Sequence, residues 1–208
     1  MDDRTVRKEL AFYANRCYEK DLLVGGEGNI SARLENGNVL VTPTGCSLGD
    51  VGPEDFVEVD MDGNVVDGRN IKPSSETKMH LEIYKARPDM KSVCHCHPKN
   101  AVAYALCHAE LPWKVHPEVV AYLGPIPTIP YGRPSTIELA KTCAKYMPTG
   151  VYGAVMENHG TIGIGITIMD AFRRNEVIES FAYSCLMAKL VGVPVELPQS
   201  DIEVMLIK

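Results

Sequence analysis

No apolar run in the 208-residue chain approaches eighteen residues, so no transmembrane helix is expected. A polybasic block is also missing, and the formal net charge is −6. That weighs against nucleic acid and acidic membrane surfaces as partners. It does not exclude an anionic small substrate, because backbone amides and hydroxyls bind phosphate locally. The first ten residues, MDDRTVRKEL, are charged and carry no signal-peptide core. An orderly cysteine framework is absent too. Seven cysteines, an odd number at irregular spacings, suit a reducing cytoplasm better than a set of disulfides. Internal repeats, low-complexity tracts and interdomain linkers are not found, so a single domain spanning 1–208 is expected.

What is present points to a folded core: 45% of residues are apolar and 23% are charged. Residues 4 to 20 read as an amphipathic helix, with Val6, Leu10, Tyr13, Ala14 and Cys17 at steps of three and four and Gly25-Gly26 beyond. NISARL, NVLVTP and DFVEVD read as short strands divided by turns that include Asn36-Gly37 and Asp62-Gly63. Ser74 or Ser75 is expected to cap a helix carrying Met79, Ile83 and Tyr84. SVCHC reads as a strand, and Pro98 suits the first turn of the helix that follows. Ser135-x-x-Glu138 has the form of a capping box. VYGAVME and GTIGIG read as strands around Asn158-His159-Gly160, before a long helix from about 170 to 190 with Asp170 as its cap. These elements imply an α/β fold whose hairpin-rich sheet carries helices on its faces.

The stretch SVCHCHP bears the clearest chemical question. Side chains of a strand alternate between faces, so His95 and His97 share one face while Cys94 and Cys96 share the other. A four-ligand Cys-His-Cys-His cage would need both faces at once. Two imidazoles at i and i+2 suit one divalent ion, zinc above all, and equally describe two surface histidines on an edge strand. Cys94 and Cys96 lack the C-x-x-C spacing of a redox pair and read as core thiols. A third ligand must come from elsewhere among His80, His108, His116 and His159. His80 and His108 fall in expected helices, where a solvated or internally satisfied histidine is the plainer reading. His159 stands at a break between two strands, from which a side chain can project into a cleft. Three histidines with one open position would make a catalytic zinc site.

GEGNIS (26–31), TPTG (42–45), KPSSETKMH (72–80), HCHP (95–98) and ENHG (157–160) occur in an order that resembles the class II aldolase/adducin family, over essentially the whole chain. The resemblance implies a three-layer α-β-α sandwich with a central, mainly antiparallel sheet. It implies that His95, His97 and His159 bind zinc, or another divalent metal such as Mn2+ or Co2+. It implies that Glu76 is the catalytic acid/base, and that Gly28, Asn29, Thr44, Gly45, Ser74 and Ser75 hold a substrate phosphate. It further implies a homotetramer with active sites between subunits, acting on a phosphorylated sugar; the cysteine usage points to the cytoplasm.

Those residue types suit the chemistry. Cleaving a ketose phosphate leaves negative charge on an enediolate, which a Lewis acid stabilises and a nearby carboxylate can protonate. Glu at position 76 matches the family's aldolases, where its epimerases carry Asp. The reading is therefore an aldolase that splits a ketose 1-phosphate, of the L-fuculose-1-phosphate type, into dihydroxyacetone phosphate and an aldehyde. A methylthioribulose-1-phosphate-type dehydratase and a 4-epimerase are the alternatives on this fold, followed by a non-catalytic adducin-like module. One departure concerns the aldehyde side: where the fuculose-phosphate aldolase pattern has a tyrosine, LPWKVHPEVV offers His116. His116 is the candidate proton donor there, and its plainer reading is a loop or interface histidine. The tail LPQSDIEVMLIK also lacks a tyrosine found in some aldolases.

Overall fold

The computed structural model describes residues 3–206. The expected domain span and the tail reach residues 1, 2, 207 and 208, which lie outside the described ones. Seven strands form one sheet: β1 Asn29–Arg33, β2 Val39–Val41, β3 Val57–Val59, β4 Ser92–Cys96, β5 Thr128–Ile129, β6 Gly153–Met156 and β7 Thr161–Gly165. Their order across the sheet is β3-β2-β1-β4-β7-β6-β5. All neighbours are antiparallel except β5 and β6. The strand with His95 is thus central, with β1 on one side and β7 on the other.

Among the described residues the α-helices are α1 Asp3–Glu19, α2 Thr77–Ala86, α3 Lys99–Leu106, α4 Pro117–Tyr122, α5 Ile137–Lys145, α6 Ile168–Val191 and α7 Gln199–Leu206, with short 3-10 turns at Pro53–Asp55 and Trp113–Val115. Strand alternation divides the core. On one face Val39, Val41, Val57, Val93 and Ile162 pack against Met79 and Ile83 of α2 and Leu139 and Cys143 of α5. On the other, Ile30, Leu40, Cys94 and Cys96 meet Leu10, Ala14 and Cys17 of α1 and Phe172 of α6. Farther along that side, Ala101 of α3, Val119 of α4 and Ile178 of α6 close over Val155. Each fully buried large aliphatic side chain contributes roughly 1.5–3 kcal/mol against chain entropy. The result is a three-layer α-β-α sandwich around a mainly antiparallel sheet.

Helix starts differ from the sequence expectation by one to three residues. Ser135 has φ +66°, a left-handed conformation unsuited to a cap, so Thr136 is extended and accepts the Leu139 N–H at 3.3 Å. Thr167 caps α6 in place of Asp170; their reciprocal bonds run from the Asp170 amide to Thr167 Oγ1 and from the Thr167 amide to Asp170 Oδ2. Pro98 stands at the cap of α3, one place before its first turn. Glu76 occupies the cap position of α2 without capping through its side chain, so neither Ser74 nor Ser75 is the cap. Ser74 instead accepts the Glu76 amide through its hydroxyl at 3.3 Å and the Thr77 amide through its carbonyl at 3.0 Å.

Candidate active site

Each histidine of the site arrives by a different local device. His95 lies on β4 with no exposed surface. His97 follows the strand's end, where its amide donates to the Leu22 carbonyl at 2.9 Å. His159 stands in the turn between β6 and β7. That turn closes through the Met156 amide to the Gly160 carbonyl at 2.8 Å, with Asn158 in the left-handed region at φ +54°. Gly160 permits the approach: a methyl there would overlap the Cys96 carbonyl oxygen and lie 2.7 Å from His97 Cδ2. Gly28 does the same beside β1. Its φ is +73°, and a methyl would sit 2.8 Å from the His95 carbonyl.

The three imidazoles converge. Ring centroids are 4.7 Å apart for His95–His97 and His95–His159, and 5.0 Å for His97–His159. Their ligating nitrogens all fall within 4.8 Å of one another. His95 Nε2 and His97 Nε2 face each other at 2.9 Å. Glu76 completes the group, with Oε2 at 3.1 Å from His95 Nε2 and Oε1 at 3.6 Å from His159 Nε2. His95 Nδ1 donates to the Thr161 carbonyl at 2.8 Å, which fixes the tautomer and leaves Nε2 for a ligand. Glu27 Oε2 lies 3.7 Å from His97 Nδ1, the corresponding outer partner for the second ring.

The electrostatics follow from this crowding. Burial and the neighbouring charges of His95 and His159 push His97 down to about 3. Burial and His95 push His159 down to about 4. Burial also disfavours a charged His95, but the Glu76 carboxylate beside it outweighs burial and raises its pKa. Burial would raise Glu76, yet His95, His159 and Asn29 together hold it well below the ordinary carboxylate range. Two neutral rings, a third ring oriented by a carbonyl and one carboxylate are a donor set that fits a zinc-like divalent cation.

The Cys94 and Cys96 side chains leave on the opposite face, as alternation requires. They meet Cys17 of α1, with Cys17–Cys94 and Cys94–Cys96 Sγ distances of 3.6 Å, all fully buried among apolar neighbours. They take no part in the histidine cluster.

Glu76, His97 and His159 open onto a cleft of about 190 Å³ that also touches Gly28, Asn29, Thr44, Gly45, Ser74 and Ser75. The two loops that bring these groups together are tied by the Thr44 amide to Lys72 carbonyl bond at 3.0 Å and the Ser74 amide to Thr42 carbonyl bond at 2.9 Å. Asn29 lines the cleft, but its side-chain amide is engaged on both atoms, with Glu76 and with His80. Sequence reasoning missed Gly26, Glu27, Pro43, Cys46, Pro134 and Ser135 as cleft residues. Gly26, Glu27 and Pro43 lie inside recognised motifs; Pro134 and Ser135 belong to a distant loop whose one signal, Ser135-x-x-Glu138, reads as a helix cap. A larger concavity of about 420 Å³, lined by residues such as Trp113, Ile126 and Tyr146, holds none of the histidine–carboxylate cluster.

His116 is not brought to this cleft within the chain. It caps α4, its Nδ1 lies 3.1 Å from Glu118 Oε2, and it borders a separate groove with Phe181 and Val195. Among the described residues, no helix is long and apolar enough to cross a membrane.

Three converging imidazoles and a buried carboxylate, at the end of a central strand in an α-β-α sandwich, define a metal-dependent enzyme. The chain belongs to the class II aldolase and adducin family, since residues 8–186 match its Class II Aldolase and Adducin N-terminal domain. It is 36% identical over 183 residues to 3-oxo-tetronate 4-phosphate decarboxylase of Haemophilus influenzae, covering 85% of each chain. It is 33% identical over 199 residues to 5-deoxy-D-ribulose 1-phosphate aldolase of Bacillus thuringiensis, covering 95% of this chain and 92% of the relative. A solved L-fuculose 1-phosphate aldolase superposes with a TM-score of 0.89 at 32% identity, over 97% of this chain and 94% of that one. The chain therefore stands among the metal-dependent lyases of class II aldolase type.

Proposed function

We propose that the protein is a zinc-dependent aldolase that cleaves a ketose 1-phosphate reversibly to dihydroxyacetone phosphate and an aldehyde. The observation that carries this reading is Glu76: a buried carboxylate that touches two of three clustered histidines and opens onto a cleft rimmed by hydroxyls and glycines. His95, His97 and His159 would hold the zinc ion, which supplies Lewis-acid stabilisation of the negative charge developing on the substrate oxygens. Ser74, Ser75, Thr44, Gly45 and Gly28 would bind the phosphate, which anchors the substrate and orients its carbonyl carbon toward the cluster.

In the cleavage direction the C3–C4 bond breaks and its electron pair stays on the three-carbon fragment as an enediolate. The C4 hydroxyl loses its proton as the aldehyde forms. Glu76, having taken up a proton from solvent through the open cleft, then delivers it to C3 of the enediolate, giving dihydroxyacetone phosphate and recovering its charge; in synthesis it removes that proton. Removal of the C4 proton has no assigned residue inside one chain's cleft. The expected homotetramer would supply it from a neighbouring subunit, with His116 the candidate. The exposed apolar stretch of Leu190, Val191, Val193 and Val195 supports such an assembly, and light scattering of the purified protein measures it.

The decarboxylase relative supports a second reading. Loss of carbon dioxide from a 3-oxo-tetronate 4-phosphate leaves the same three-carbon enediolate, to be protonated by the same carboxylate. The two readings separate on one assay. Purified enzyme is offered a panel of ketose 1-phosphates and a 3-oxo-tetronate 4-phosphate, with dihydroxyacetone phosphate, aldehyde and carbon dioxide followed together. Aldehyde formed in step with dihydroxyacetone phosphate supports the aldolase; carbon dioxide without aldehyde replaces it with the decarboxylase. In either case Glu76→Gln should lower turnover roughly 100- to 10,000-fold with the metal retained. Undiminished turnover would remove Glu76 from its assigned role.

A further inference from the structure

Two residues that close recognised motifs, Ser31 of GEGNIS and His80 of KPSSETKMH, have no part in the reaction described above, and both are fully buried and polar. They lie in one line. Glu76, His80 and Tyr84 are spaced four apart and form a stripe along the start and body of α2. Asn29 and Ser31 are spaced two apart on β1 and point to the same face as His95, because Asn29 pairs with His95 and Ser31 with Val93. Four helical residues advance about 6 Å. Two strand residues advance about 6.6 Å. The stripes therefore mesh, and the contacts run Glu76, Asn29, His80, Ser31, Tyr84.

The charge on Glu76 fixes every hydrogen along this line. A carboxylate only accepts, so the Asn29 atom 3.1 Å from Glu76 Oε2 is the amide nitrogen. Asn29 Oδ1 then faces His80 at 2.6 Å and requires Nε2 to carry the proton. The other imidazole nitrogen, Nδ1, accepts from the Ser31 hydroxyl at 2.6 Å. Ser31 in turn accepts from the Tyr84 hydroxyl at 2.8 Å. Every donor points toward Glu76. Burial and the charge of His95 hold His80 down to about 3, so it stays the neutral ring that this direction needs. Burial holds the Tyr84 hydroxyl protonated far into alkali.

We infer that His80 is a positioning residue for the acid/base: it locks the Asn29 amide, pins Glu76 Oε2 and leaves Glu76 Oε1 as the working oxygen. Glu76 Oε1 is buried and has no hydrogen-bond partner in the protein, unlike its pinned twin. Without His80 the Asn29 amide keeps only its bond to the carboxylate: Oδ1 loses its donor, and the side chain is free to swing away from Glu76 Oε2. An amide does not relay a proton along this line, so the line orients Glu76 and does not supply it. The inference rests on the proposed role of Glu76.

Two measurements on the full-length, metal-loaded protein test it. The first is the tautomer of His80, read from long-range nitrogen–proton spectra of histidine-labelled protein. An Nε2–H signal that does not titrate between about pH 5.5 and 9 is expected, given a reference histidine near 6.5. An Nδ1–H tautomer, or titration in that range, overturns the inference whatever the reaction is.

The second is exchange of the dihydroxyacetone phosphate C3 proton with deuterated solvent in the absence of aldehyde, which isolates the proton transfer. His80→Leu should lose roughly 10- to 100-fold in exchange rate, with KM and bound metal unchanged. His80→Gln, whose amide restores the donor to Asn29, should recover most of the rate. His80→Leu exchanging like wild type, or His80→Gln failing as badly as His80→Leu while both stay folded and loaded, overturns the inference. If wild-type enzyme exchanges nothing, the aldolase reading fails, and the tautomer still decides the hydrogen-bond line.

Discussion

Gly160 lies directly against the Cys96 carbonyl and the edge of the His97 ring, in the turn that delivers His159 to the other two histidines. Its backbone is not in the left-handed region, so the need for glycine here is one of space. Gly160→Ala should push the turn away from β4. Bound metal should fall well below one per chain, and stability should drop by roughly 1–3 kcal/mol as the methyl displaces backbone. Metal analysis and urea denaturation check both. Full metal content in Gly160→Ala would show that the turn has slack not visible in this packing.

The two faces of β4 allow a paired test of the ligand set. His97→Ala removes one of the three convergent imidazoles and should abolish stable metal binding. Cys96→Ser changes only the packed face, where Cys94 and Cys96 meet Cys17 among apolar side chains. Its hydroxyl is left without an obvious partner, at a cost of roughly 1–3 kcal/mol, while metal stays bound. Elemental analysis of both variants decides, and metal retained in His97→Ala but lost in Cys96→Ser would invert the assignment of faces.

The division of those faces was legible from alternation alone, because a strand leaves a side chain only two directions. The element order was legible as well, from apolar spacing and turn residues. Helix starts were misread by one to three residues because Ser135-x-x-Glu138 and Asp170 have the right chemistry at the wrong dihedral. Ser135 is left-handed, and Asp170 sits at the third helical position of the box that Thr167 opens. The joining of His159 to His95 and His97 came from motif order, since no local pattern links residues sixty positions apart. Pro134 and Ser135 reach the cleft through a long loop whose path depends on the whole sheet. His80 reads in the sequence as a helix histidine; the signal that marks it out is its four-residue step from Glu76, opposite the two-residue step from Asn29 to Ser31.

The burial of His80 has a consequence for stability that needs no substrate. In the folded protein it is held to about 3, against an ordinary value of about 6.5 in the unfolded chain. Between those values the unfolded chain binds a proton that the folded chain refuses, so stability rises with pH across that window and is lost as the medium is acidified through it. At pH 5 the loss attributable to His80 is about 2 kcal/mol, being one and a half pH units below the unfolded pKa. Above about pH 7 the term vanishes, because both states are neutral. His80→Gln carries no titrating group and should lose that part of the acid sensitivity while keeping the bond to Asn29. The comparison is of urea midpoints for the two proteins at pH 7.5, 6 and 5, converted with their measured slopes. The gap between wild type and variant should shift by about 2 kcal/mol in favour of the variant from pH 7.5 to pH 5. A constant gap would mean that His80 accepts its proton in the folded state, which the acceptor role of Nδ1 toward the Ser31 hydroxyl opposes.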